Sequence, residues 1–208
     1  MTPEIHFYLK DIDLSYMPAT AEEYWRWLVS ERTLASSLGR FHWTLLTYLQ
    51  LKNSGLRVRL TNNLPDSGII VAHSDDIGEM EPNKDRQYRV CLLVDRASPD
   101  LNADFHVFHN PQQRLRYSNR FTYIPPWKQS DLVPRDPARG SRVENIGFFG
   151  YRDNLQESLR SNDFIDALKE SELQLICVEL KNWHDYRYID VMLGVRTFGE
   201  TNLHPRKP

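Results

Sequence analysis

Three residues that could move a proton fall together in Val71-Ala-His-Ser-Asp-Asp76, where His73, Asp75 and Asp76 follow an apolar run. The run predicts a strand, and its carboxyl end is where open α/β sheets present reactive groups. An imidazole suits general-base work near neutral pH. A carboxylate beside it can orient the ring or take the proton itself. The same residues also suit a capped surface loop, with Ser74 or Asp75 as the helix cap.

A second constellation is Gly147-Phe-Phe-Gly150 followed by Tyr151-Arg152-Asp153. A glycine between strand and helix lets backbone amides approach a phosphate at the positive end of the helix, and Arg152 would add a full charge. Gly150 equally serves a tight turn, since neither a complete Gly-x-Gly-x-x-Gly nor a Walker loop is present. Leu38-Gly-Arg-Phe-His-Trp43 is another glycine turn before a helix, open to a ligand or to simple chain punctuation. His6, His42, His106 and His109 sit among aromatics without metal-ligand spacing, which favours packing, so no metal site is expected. Gly-x-Ser-x-Gly is absent, and neither cysteine has a polar base nearby, which disfavours covalent acyl chemistry.

The elements that would carry these groups alternate. Strands are predicted at Ile5–Leu9, Leu56–Leu60, Gly68–Ala72, Tyr88–Asp95 and Asp104–His109. Helices are predicted over Ala21–Leu38, broken by Gly39, and over Phe41–Ser54, stopped by Gly55. A Pro-rich connector follows, with Pro125, Pro126 and Pro134, and its charges (Lys128, Asp131, Arg135, Asp136, Arg139, Arg142, Glu144) read as a solvated mixture. Beyond it come a strand at Glu144–Gly150, helical material at Asn154–Leu159 and Asp163–Ser171, and strands at Leu173–Val178 and Tyr188–Val195, the last read as buried. The pattern predicts α/β with mostly parallel sheets in two Rossmann-like units: residues 1–120, a connector 121–142, and 143–208.

Composition narrows the class. With 40% hydrophobic and 26% charged residues, the 208-residue chain is an ordinary globular one. A net charge of -2 gives no electrostatic footprint for nucleic acid. No apolar run reaches the ~18–20 residues of a membrane span, and the N-terminus has no secretory signal pattern. Cys91 and Cys177 lie inside apolar runs, so no disulfide is expected and the cytoplasm is the expected address. Five Trp and ten Tyr suit packing, and they are also compatible with binding sugars on aromatic faces.

Several segments resemble a bacterial glycosyltransferase family of the GT-B type: Gly39-Arg-Phe-His-Trp-Thr, Tyr48-Leu-Gln-Leu, Leu64-Pro-Asp-Ser-Gly-Ile-Ile-Val-Ala-His73, Ile124-Pro-Pro-Trp-Lys-Gln, Leu132-Val-Pro-Arg-Asp-Pro, Glu144-Asn-Ile-Gly-Phe-Phe-Gly and Trp183-His-Asp-Tyr. The resemblance implies two Rossmann-like domains facing across a cleft, acceptor side first and nucleotide-sugar side second. It implies a donor domain that continues past Pro208, so the second unit is expected to be incomplete, with an exposed apolar edge near Val191–Val195.

On the donor side the resemblance matches Gly150 and Arg152 to the turn facing the phosphates, and Arg196 and Lys207 to basic positions after later strands. On the acceptor side it matches His73 to the strand end that faces the acceptor. The implied reaction moves a sugar from a nucleotide-sugar, bound as substrate with no further cofactor, to an acceptor hydroxyl. Arg152, Arg196 and Lys207 would offset the leaving diphosphate, and His73, Asp75 or Asp76 would take the proton. The alternatives are a non-catalytic α/β protein binding a carbohydrate or a partner, and a vestigial transferase fragment.

Overall fold

The computed structural model describes residues 3–30, 38–78, 80, 85–93, 102–109, 120–129, 131–150, 152–178 and 182–194. They form two compact units, one reaching Lys128 and the other starting at Gln129, and the class is Rossmann-like α/β.

The first unit is built on six parallel strands: β1 (Ile5–Tyr8), β2 (Val58–Thr61), β3 (Gly68–His73), β4 (Gln87–Leu93), β5 (Phe105–Phe108) and β6 (Phe121–Tyr123). Their order is β2-β1-β3-β4-β5-β6, with every pair parallel. Strands rich in Ile, Val, Leu and Phe on both faces need cover on both. On one face Phe7, Val71, Leu92 and Val107 pack with Trp43. On the other, Tyr8, Ile70, Ala72, Cys91, Leu93 and Phe108 pack with Ile77 and Met80. β6 corrects the expected boundary. Residues 121–123 are a strand of this sheet, registered on β5 from His106↔Phe121 to Phe108↔Tyr123, and not the start of a connector.

Between β1 and β2 the chain forms α1 (Ala21–Ser30), whose acidic first turn (Glu22, Glu23) suits the helix dipole. It then forms one helical run made of α2 (Leu38–Arg40), a π-helical segment (Phe41–Leu45) and α3 (Leu46–Asn53). Gly39 therefore lies inside a helix and does not break one. The helix expected over Phe41–Ser54 is present and opens in π geometry, with the Leu46 N–H donating to the Phe41 carbonyl. It buries Phe41, Trp43, Thr44 and Leu45, four of five successive residues. Gly55, at φ 83°, follows α3 as its expected stop. Leu9, Tyr24, Leu28, Phe41, Leu45, Leu46 and Leu49 close the core between these helices.

The second unit has three parallel strands, β7 (Asn145–Phe149), β8 (Gln174–Val178) and β9 (Val191–Met192), in the order β8-β7-β9. Between β7 and β8 lie two 3₁₀ turns, Arg152–Asn154 and Glu157–Arg160, and one helix (Asn162–Glu170; α5 below, after the one-turn helix α4 described with the site) capped by Ser161. The last strand is far shorter than expected and is not buried: Val191 is 44% and Met192 61% exposed.

The charged segment 131–144 is exposed or half-buried throughout, as expected of a solvated connector, but it is also fastened to the second unit. Val133 donates to the His184 carbonyl and accepts from Tyr186 N–H, at 2.8 and 2.9 Å. Asp190, whose side chain is 1% exposed, accepts from the Arg135 and Arg139 guanidiniums and from the backbone N–H groups of Glu144 and Asn145. A buried carboxylate requires such partners, and here they fasten the segment to the strand that follows it.

Candidate functional site

In the first sheet the strand order reverses between β1 and β3, because β2 lies on one side of β1 and β3 to β6 on the other. A crevice at the carboxyl ends of such a pair is where this architecture binds ligands. β3 ends there at His73, and the one-turn helix α4 (Ser74–Ile77) begins immediately after it. His73, Asp75 and Asp76 are thus brought to the switch point together, but the fold gives them three different environments.

His73 is buried, and it caps α4 itself, in place of Ser74 or Asp75. Its Nδ1 accepts the Asp75 N–H at 3.2 Å. That bond fixes the neutral ring with its proton on Nε2, the nitrogen that faces Gly39, where an added Cβ would stand 3.5 Å away. Nδ1 also lies 3.4 Å from Asp75 Oδ2. When the ring gains a second proton, Nδ1 changes from acceptor to donor and that carboxylate is in place to receive it. The Asp75 side chain is exposed, so the pair is accessible to solvent at one end.

Asp76 is enclosed. Its side chain is 2% exposed, and both oxygens are occupied. Oδ1 accepts from the Arg40 Nη2 and, at 3.3 Å, from the Lys10 N–H, while Oδ2 accepts from Arg40 Nε at 3.1 Å. Arg40 Nη2 also donates to the Lys10 carbonyl at 2.8 Å. One guanidinium therefore ties α2, the end of β1 and α4 into a single unit at the crevice. Burial pushes the Asp76 carboxyl up, and the Arg40 charge pulls against that shift. Tyr8, at the end of β1, is raised first by burial and then by the Asp76 charge. Among the three expected proton carriers, Asp76 is held in a buried ion pair by Arg40, a residue that sequence reasoning missed. The signal was the arginine in Gly39-Arg-Phe-His, which a glycine-turn reading passed over.

Of the other histidines, His6 has its Nε2 3.4 Å from Glu4 Oε2, and others lie against aromatic rings. His106 stacks on Phe108 at 6.3 Å between ring centroids, and His109 lies against Trp43 at 5.6 Å. Among the described residues, no group of three or more His, Cys, Asp or Glu could hold a metal ion.

In the second unit, β7 ends beside Gly150, but no α-helix starts there. Arg152 is exposed and opens a 3₁₀ turn, and α5 begins only at Asn162. The strand, glycine turn and helix N-terminus of a phosphate cradle are therefore not contiguous. Gly150 has a packing reason of its own, since an added Cβ would stand 3.1 Å from the Phe148 ring. At Gly147 a Cβ would meet Ile189 at 2.7 Å. Tyr151, Arg196 and Lys207 lie outside the described residues. No helix among the described residues is long and apolar enough to cross a membrane.

No protein-family model, curated protein or solved structure matches the chain.

Proposed function

We propose that the protein transfers a sugar from a nucleotide-sugar donor to an acceptor hydroxyl, as a glycosyltransferase of the GT-B type. The observation that supports this most is the His73–Asp75 pair at the carboxyl end of β3, beside the β1/β3 switch point. In this reading the acceptor hydroxyl gives its proton to the pair, and the Asp75 carboxylate stabilises the imidazolium that forms. Asp76 and Arg40 hold the strand ends in place. On the donor side Arg152, Arg196 and Lys207 offset the charge of the departing diphosphate, and Gly150 keeps the chain close to β7. The cytoplasm is the proposed address, in keeping with the thiols of Cys91 and Cys177, which form no disulfide.

The test is release of nucleoside diphosphate from UDP-, GDP-, ADP- and dTDP-hexoses in the presence of oligosaccharide acceptors. His73→Asn is the informative variant, because Asn is a favoured helix cap and the substitution removes only the imidazole. Turnover is expected to fall about 100-fold or more, with the melting temperature nearly unchanged. Absence of release from every donor sinks the transferase reading, and undiminished turnover in His73→Asn removes His73 from it.

A further inference from the structure

Gly39 is a helical glycine for which neither backbone nor packing among the described residues gives a reason. It is not one of the glycines at positive φ, unlike Gly55 at 83°. A Cβ added at Gly147 would collide with Ile189 at 2.7 Å, whereas one at Gly39 would meet His73 Nε2 at 3.5 Å, an ordinary contact. Outside its own helix and chain neighbours, no other atom of the described residues lies within 4 Å of that Cβ. Glycine is a poor helix former, and alanine in its place would favour α2. The sequence omits a side chain that the helix prefers and the surroundings accommodate.

The omission falls at the crevice. Gly39 is half-buried, so solvent reaches it, while His73 is 4% exposed. The other edge of the ring faces Asp75, whose N–H and carboxylate stand beside Nδ1. Gly39 therefore joins solvent-reachable surface to the Nε2 edge. α2 cannot easily swing aside, because Arg40, the next residue, donates to Asp76 and to the Lys10 carbonyl. We propose that Gly39 is a specificity-determining residue: its missing side chain admits substrate to the His73 ring from the α2 side and limits the bulk that fits there. The inference rests on the reading of His73 as part of the transfer site. Access to the ring is measured without any donor.

The experiment compares wild type with Gly39→Ala and Gly39→Val in three measurements: thermal melts, the diphosphate-release assay, and labelling by diethyl pyrocarbonate mapped by mass spectrometry. Gly39→Ala should melt at the same temperature or higher. Its turnover should fall about tenfold or more, and that of Gly39→Val further. Labelling of His73 should slow several-fold in Gly39→Val, while labelling of His6 keeps its wild-type rate. A lower melting temperature for Gly39→Ala overturns the proposal, since the space would then already be filled by the protein. So does a wild-type His73 that resists the reagent, an unchanged rate at His73 in Gly39→Val, or undiminished turnover in both variants. Absence of diphosphate release from every donor, with the labelling difference intact, sinks the transferase reading alone.

Discussion

Asp75 and Asp76 are adjacent in sequence and identical in type, yet one faces solvent beside an imidazole and the other is enclosed by a guanidinium and the Lys10 N–H. That difference is decided by which side of a single helical turn each occupies. A buried ion pair adds little net stability when intact, but removing one partner strands the other. Arg40→Met and Asp76→Leu are each expected to lower stability in urea unfolding by about 3 kcal/mol or more, and the double variant by much less than the sum. Additive losses would mean that the two side chains act separately. At this scale the sequence disclosed His73, Asp75 and Asp76 as a group, because three titratable residues in four positions after an apolar run are visible by inspection. It concealed Arg40, whose contact with Asp76 spans 36 positions, and Asp190, whose partners include Arg139 at a separation of 51. Such pairings exist only once the topology does.

Strands rich in branched and aromatic residues were legible because burial on both faces leaves a continuous apolar run. The short β9 was over-read for the same reason: Tyr188 to Val195 has the composition of a core strand, yet Tyr188, Val191 and Met192 are exposed. The π-helical segment was illegible in a different way, since its burial pattern fits no 3.6-residue period. It also leaves a trace in its hydrogen bonding. Thr44 is fully buried, and its hydroxyl has no partner among the described residues, where a threonine in a regular helix commonly bonds back to the preceding turn. Thr44→Val keeps the shape and removes the unmatched hydroxyl, so stability should be unchanged or higher by about 1 kcal/mol. A clear loss in thermal melts would show that the hydroxyl is matched in solution.

Each unit carries its own sheet and its own means of closure, and the second relies on carboxylates more than on apolar bulk. The Asp190 carboxyl is held far below its ordinary range, first by the Arg139 hydrogen bonds. Asp185 is lowered from 3.8 to about 2, chiefly by its hydrogen bonds to Arg187. For a carboxyl depressed in the folded state, the unfolded chain binds protons first as pH falls. The stabilisation is complete above the unfolded value and drains away below it. Melting temperature should therefore drop as pH falls from about 4 toward 2. Asp190→Asn should begin lower at pH 5 and show a shallower decline in melts followed by circular dichroism. Parallel pH profiles for the two proteins would remove Asp190 from this role.

The parallel order of the first sheet also has a consequence during synthesis. β1 leaves the ribosome before both of its partners, Val58–Thr61 on one side and Ile69–Ala72 on the other. Its backbone groups and the side chains of Phe7 and Tyr8 must stay unpaired while the intervening helices emerge, and sheets whose pairings are all distant in sequence assemble slowly. The helical run from Leu38 to Asn53 can form locally in that interval and offer Trp43, Leu45 and Leu49 as a first apolar surface. In the nascent chain, β1 is a strand waiting for its sheet.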